Sequence, residues 1–532
     1  IRSCNTKDGR GAGRSRGNEK GSDSNLTDEE SEELHSKSDI EDDENVAVSD
    51  TNDEDENLVV IPDALSSDDE DEDRQQVPRK DDLYANHFSR QPLNDDEVAN
   101  FSSNMGGDKL VLRKLSAGTK YCAPMIDVEN LKLFATGPIN DILSNEDRVS
   151  PSCRALLRLN WPKFNRGNTS LTGNDTSASF FTPLQSLIYS SLSNYADLLV
   201  TTETRENRNE MRDVTILHIL NHVLTARKRI QRHNQRIREL AQNKISESDT
   251  LNSKKKSKTA VQYAGNDDKW RDQGFTQPKV LILCPTRGTA LDFVMRMLDL
   301  PGSLAYVSNF QRFQDDFGIP LDDDDDDADV RRKAVLRSKG ADWQELFGDD
   351  VNDDDDFKIG LSVSPKPPKG KKDGEKIGIH VYNDFLTSDI IVASPLSLKI
   401  YIEQEDANAD FLSSIEICAV FHSDVLMMQN WDHVLGTLNA TNQQPKKTNE
   451  TDFSRVRNYA LAGQSMHWRQ LIFFSKFNDA CIQGTFKRHA KSIEGRVRLV
   501  GKVDASEASV CDVLVKVKQV FQRIPCNTLS AQ

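Results

Sequence analysis

The chain has 532 residues, of which 36% are hydrophobic and 29% charged, with a formal net charge of −17. Its length suits about two to four domains, but this composition excludes a core drawn from the whole chain. No apolar run approaches the roughly 20 residues of a membrane span, and Ile1-Arg2-Ser3-Cys4 has no apolar signal-peptide region behind it. The eight cysteines are scattered without a C-x-x-C pair, which argues against zinc and against a disulfide framework, and for a reducing compartment.

Residues 1–108 read as an acidic disordered tail. Gly9–Gly17 is Arg/Gly-rich, the composition of an RNA-associating tail or of a flexible terminus. Asp39–Glu44, Asp50–Glu56 and Ser66–Asp73 are blocks of like charge that repel one another and cannot bury a core. Ser66 and Ser67 precede Asp68-Asp69-Glu70, the setting of an acid-directed phosphorylation site. Order is expected to begin near Lys109, with 109–180 as an N-terminal extension and 181–500 as the main lobe. Leu184–Leu199 has helical spacing. Asn209–Arg238 reads as a long helix with Val214, Leu217, Leu220, Val223 and Leu224 on its apolar side and a basic run from Arg227 to its end. Polar or acidic insertions are expected near 240–275, 315–376 and 439–451. Lys254, Lys255, Lys256 and Lys258 form a basic cluster of the nuclear-import kind.

Val280–Cys284 is a short apolar run between Pro278 and Pro285, the pattern of a strand buried on both faces. Pro285, Thr286 and Arg287 follow at its C-terminal end, then helical spacing over Gly288–Leu300. Order returns at Ile377–Val381. Further strands are expected at Ile390–Ala393, closed by Ser394 and Pro395, at Ile415–Phe421 and at Gln470–Ser475, with residues 501–532 as a linker. Strands alternating with helices predict an α/β fold with a mostly parallel sheet, in which ligands sit at the C-terminal strand ends.

The turns at those ends fall in a telling order. Phe181-Thr182-Pro183-Leu184-Gln185 resembles the adenine-reading motif of DEAD-box RNA helicases, and Pro285-Thr286-Arg287 resembles their RNA-backbone motif. Ala393-Ser394-Pro395 stands where those enzymes have Thr-Pro-Gly. Phe421-His422-Ser423-Asp424 stands at the Asp-Glu-Ala-Asp position, and Ser475 at the Ser-Ala-Thr position. The fold so implied is a degenerate P-loop NTPase, a RecA-like helicase lobe, in which Gln185, Asp424 and Ser475 hold degenerate motif positions. The chemistry is missing. No G-x-x-x-x-G-K-[ST] string occurs, although its glycines, lysine and hydroxyl are what cradle phosphates and Mg²⁺. In its place stands Thr201-Thr202-Glu203-Thr204-Arg205-Glu206-Asn207, acidic and without glycine. Of the acidic motif only Asp424 is left.

The strings Leu217–Leu224, Ser388–Leu396, Leu426–Val434 (with Gln429-Asn430-Trp431-Asp432-His433) and Thr451–Arg457 closely resemble the digestive organ expansion factor family, also called the U three small nucleolar RNA-associated protein twenty-five family. The resemblance runs from about Tyr84 to the end of the chain. It implies a nucleolar, nuclear protein of the small-subunit processome that acts in 18S rRNA maturation as a non-catalytic helicase-like scaffold. The implied partners are processome proteins, small nucleolar RNA and pre-rRNA, with no membrane and no small-molecule substrate. No catalytic residue, cofactor or metal is expected. The alternative is an active ATP-dependent RNA helicase with a non-standard nucleotide site. After Arg498 too few residues remain for a second lobe of about 150 residues, so the expectation is either a truncated sequence or a lobe whose partner lobe is lost.

RNA-contact candidates are Pro285, Thr286, Arg287, Ser394, Pro395, Arg455 and Arg457. The placement of Arg455 and Arg457 around Val456 suits a grip on phosphate or on an acidic partner, and equally a surface ion pair. His218 and His222, four apart on a helix, lack the glutamate of a zinc protease and read as packed histidines. Trp431 and Trp468 read as core more readily than as base-stacking platforms.

Overall fold

The computed structural model describes residues 82–98, 109–110, 131–139, 153–168, 180–246, 268–302, 305–319, 352–365, 377–404, 409–448 and 451–501, with 518 and 520. The first described elements are helix α1 (Leu83–Phe88), strands β1 (Lys109–Leu110) and β2 (Leu131–Thr136), and helices α2 (Ala155–Phe164) and α3 (Pro183–Ser193). Then come β3 (Asp197–Val200), α4 (Arg208–Ser246), β4 (Val280–Leu283), α5 (Arg287–Asp299), β5 (Ala305–Ser308) and α6 (Phe310–Phe317). The chain continues through β6 (Lys358–Ser364), β7 (Ile377–Val381), β8 (Ile390–Ala393), α7 (Pro395–Glu403), β9 (Ile417–Val420) and α8 (Ser423–Ala440). Short helices α9 (Asn458–Leu461) and α10 (Ser465–Trp468) precede β10 (Gln470–Phe474), α11 (Ala480–His489) and β11 (Arg496–Gly501).

Among the described residues all strands join one sheet in the order β1-β2-β11-β3-β10-β9-β4-β8-β6-β7-β5. The block β11-β3-β10-β9-β4-β8 is parallel throughout. The expected α/β architecture with a mostly parallel sheet is therefore what forms. Successive side chains along a strand point to opposite faces, and the core divides accordingly. Val280 and Ile282 belong to one apolar cluster with residues of α2 to α5, while Leu281 and Leu283 belong to another with residues of α7, α8 and α11. All four are fully buried, each contributing about 1.5–3 kcal/mol of transfer free energy.

Four expectations are corrected. The helical spacing of Leu184–Leu199 conceals a strand. The helix stops at Ser193, Tyr195 takes a positive φ of 56°, and Asp197–Val200 enters the centre of the sheet. Order begins before Lys109, because α1 buries Tyr84 and Phe88 in the main core. The insertion at 315–376 contributes β6, which lies antiparallel between β8 and β7 and supplies buried Ile359, Leu361 and Val363. Near 240–275, α4 continues to Ser246, and Trp270 and Asp272 are buried. Lys254, Lys255, Lys256, Lys258 and the acidic runs before residue 82 lie outside the described residues.

Candidate functional site

The C-terminal edge of the parallel block carries the predicted motif turns. On the α4 side, β3 leads into the loop Thr201–Asn207. The loop is closed by its own side chain: Asn207 Oδ1 accepts from Thr204 N at 2.8 Å and Nδ2 donates to Thr202 O at 2.8 Å. Glu203 is buried inside the turn. Its carboxylate meets His422 Nδ1 at 2.9 Å and Arg208 Nε at 3.3 Å, and its backbone N–H donates to Ser475 O at 3.0 Å. Burial pushes the Glu203 carboxyl up, but the His422 and Arg208 charges outweigh burial and hold it below its ordinary value. His422 follows β9 after Phe421, in a left-handed conformation. The turn that stands in the place of a phosphate loop thus holds a carboxylate paired with His422 and Arg208. An incoming phosphate would meet a negative charge and no glycine cradle.

The other residues of this half are also used internally. Asp424 Oδ1 accepts from Lys476 N at 3.1 Å, tying the turn after β9 to the turn after β10. Ser475 N donates to Val200 O at 2.9 Å. Gln185 forms a capping box with Thr182 and exchanges 2.8 Å hydrogen bonds with Asn165. Among the described residues no cluster of three or more His, Cys, Asp or Glu is arranged to hold a metal ion.

On the β4–β8 side, Thr286 caps α5 by accepting from Thr289 N, and Ser394 caps α7 by accepting from Ser397 N. Pro285 O accepts from Gln429 Nε2, and Pro395 is buried. These turns are neighbours because β4 pairs in parallel with β8. An acidic segment lies across both. Arg287 N donates to Asp354 O at 2.8 Å, Gly288 N to Asn352 O at 2.9 Å and Ser394 N to Phe357 O at 3.0 Å. The Arg287 guanidinium pairs with the Asp354 carboxylate at 2.9 Å and donates to Asp356 O and Asp316 O. Ser397 Oγ donates to the Asp356 carboxylate.

Arg455 and Arg457 are not on this edge. Both are buried. Arg455 pairs with Asp272 and donates to Trp270 O. Arg457 lies at the opposite, N-terminal edge, bound to Glu416 and donating to the Tyr84 and Tyr459 hydroxyls. The expected exposed grip is replaced by internal ion pairs, because a guanidinium's five donors can bind several buried acceptors at once. Lys279 and His222 complete the cluster, each 2.9 Å from Glu416. Burial raises the Glu416 carboxyl, yet Arg457 and Lys279 together hold it well below the usual range. His218, also buried, sits 2.8 Å from Gln470 Oε1. Trp468 stacks on Tyr459 at 4.3 Å, and half-buried Trp431 donates to Thr485. The sequence reading missed this polar floor. Its one legible signal is an ionisable residue at or just before the start of the buried strands β3, β4, β8, β9 and β10: Asp197, Lys279, Asp389, Glu416 and Arg469.

Comparison with known proteins places these observations. Residues 195–497 match the family model described as UTP25, NTP hydrolase-like domain. The human U3 small nucleolar RNA-associated protein 25 homolog is 32% identical over 408 residues, which is 75% of this chain and 47% of that protein. Protein NUCLEOLAR FACTOR 1 of Arabidopsis thaliana is 31% identical over 333 residues, 60% of this chain and 40% of its own. This chain spans about half the length, or less, of these curated relatives. A solved DEAD box protein of Methanococcus jannaschii overlaps 62% of this chain and 51% of its own at 10% identity and a TM-score of 0.27, too low to carry an argument. With more than half of its residues inside the matched domain, from Tyr195 to Val497, the chain belongs to the UTP25 family.

Proposed function

We propose that this chain is the helicase-like lobe of a nucleolar ribosome-biogenesis factor, associated with the U3 small nucleolar RNA and with proteins of the small-subunit processome. On this reading it acts in maturation of pre-rRNA to 18S rRNA as a scaffold that hydrolyses no nucleotide. The ribosomal part is supported by what its relatives are called, a U3 small nucleolar RNA-associated protein and a nucleolar factor. The non-catalytic part is supported by one observation above all. Glu203, with His422 and Arg208 as its partners, fills the turn where a phosphate loop would be needed. A scaffold needs a rigid surface rather than a metal-assisted water, and the sealed, hydrogen-bonded edge fits that need.

The test has two arms. Depletion with re-expression of this sequence in its full-length context is expected to show 18S rRNA falling on depletion while 28S holds. An unchanged ratio overturns the ribosomal assignment. Purified protein is expected to show no RNA-stimulated ATP hydrolysis. Turnover abolished by Asp424→Ala would instead establish the alternative, an active helicase with a non-standard nucleotide site.

A further inference from the structure

We propose that Asn352–Phe357 is a built-in stand-in for a nucleic-acid backbone, and that it closes the C-terminal edge of the sheet to RNA. The helicase resemblance assigns the Pro285–Arg287 and Ser394–Pro395 turns to an RNA backbone. In this chain the N–H groups of Arg287, Gly288 and Ser394 and the Arg287 guanidinium already have partners. The first two backbone N–H groups of α5 bind Asp354 O and Asn352 O, and Ser394 N binds Phe357 O. The guanidinium of Arg287 binds the Asp354 carboxylate and the carbonyls of Asp356 and Asp316, and Ser397 Oγ binds the Asp356 carboxylate. Main-chain carbonyls thus meet the helix N-termini, and the Asp354 and Asp356 carboxylates meet the arginine and Ser397, at groups that otherwise favour phosphate.

The segment is anchored at both ends. Asn352 Nδ2 donates to Gly318 O at 2.8 Å. Phe357 is buried, and the next residue begins β6, which pairs with both β8 and β7. Internal Asx bonds stiffen it further, Asp354 N to Asn352 Oδ1 and Asp356 N to Asp354 Oδ1. Beside it a cavity of about 180 Å³ lies between Asp355, Ser394, Gln429 and His433. That is below the roughly 300 Å³ at which small-ligand pockets begin. The segment therefore engages the helix N-termini and Arg287 and leaves only this small cavity beside it, so that RNA reaches Arg287 when the acidic segment leaves. The ligand class rests on the helicase-like reading of the lobe. The ribosomal assignment can fail without affecting it, since the test uses purified protein and no pre-rRNA.

The experiment is fluorescence anisotropy of a labelled oligouridylate with the full chain at low salt. Wild-type binding sets the baseline. Changing Asp353, Asp354, Asp355 and Asp356 together to Asn is expected to tighten binding at least about tenfold. Adding Arg287→Ala to that variant is expected to abolish the gain. Neutralising Asp322 to Asp325 serves as the charge-matched control and should give no gain that depends on Arg287. The proposal is overturned if wild-type binding already depends on Arg287, if the strap variant gains nothing, or if its gain survives Arg287→Ala. It is also overturned if that variant takes a polyaspartate peptide in preference to the oligonucleotide, which would assign the edge to acidic protein segments. Should circular dichroism show the fourfold variant unfolded, Asp354→Asn, which removes only the carboxylate facing Arg287, is read by the same criteria.

Discussion

At the scale of single residues, the buried ionisable groups have definite hydrogen-bond roles. Gln470 Nε2 donates to both Leu192 O and Ala196 O, so its Oε1 is left to accept from His218 Nε2–H. His222 faces Glu416 through Nε2 and the Tyr195 hydroxyl through Nδ1, an arrangement that a neutral ring satisfies by donating to the first and accepting from the second. Burial, with the nearby His222, lowers the His218 pKa from 6.5 to about 3, against the hydrogen bond with Gln470. The folded value lies below the unfolded one, so the stabilisation is complete above pH 6.5 and is lost as pH falls towards 3. In that window His218 contributes a slope of about 1.4 kcal/mol per pH unit. Urea denaturation across the range is expected to show a shallower acid loss for His218→Gln than for wild type. Parallel curves would mean that His218 takes up its proton without unfolding.

At the scale of elements, α8 is two helices joined at a break. Asn430 has φ −164° and ψ 104°, and its Oδ1 accepts from Asp432 N at 3.1 Å. It therefore caps the second half of α8, which is the structural meaning of the string Gln429-Asn430-Trp431-Asp432-His433. The break lets Gln429 reach Pro285 O while Trp431 reaches Thr485. Asn430→Ala is expected to cost about 1 kcal/mol, the usual worth of an N-cap. Chemical denaturation measures it, and no loss would show that the break is held by packing alone. This element was half legible. The string stood out as specific, but helical periodicity runs through it, and only the backbone angles reveal that Asn430 ends one helix and starts another.

At the scale of the whole lobe, α1 closes the floor of the sheet from a distant part of the chain. Tyr84 and Phe88 pack against Tyr195 and His222, and the Arg457 guanidinium lies over the Phe88 ring at 4.8 Å. His87 and Arg90 both meet Glu494, and Leu93 exchanges backbone hydrogen bonds with the Gln464 side chain. Without α1, Arg457 and Glu416 would stand at an open edge stripped of aromatic cover. A chain starting at residue 99 is expected to melt roughly 5–10 °C below one starting at residue 82, the shift from a few kcal/mol in a lobe of this size. Equal melting temperatures would show that α1 only decorates the lobe.

The sequence by itself determined the central strands and their order of motif turns. Val280–Leu283, Ile390–Ala393 and Ile417–Val420 are apolar runs that have no stable state other than a strand covered on both faces, so local composition suffices. That this sequence has no G-x-x-x-x-G-K-[ST] string is likewise a fact of residue types alone. Tertiary structure alone decided where the charges went. Arginines are alike in sequence whether they face solvent or carboxylate. Arg287 is claimed by Asp354, 67 residues away, and Arg457 by Tyr84 and Glu416, because folding brings those acceptors to them. The acidic stretch at 352–356 read as an excursion from the core, since like charges cannot bury a core by themselves. It is held because two helix N-termini and one guanidinium meet it at the sheet edge, a coincidence of distant segments that no local pattern encodes.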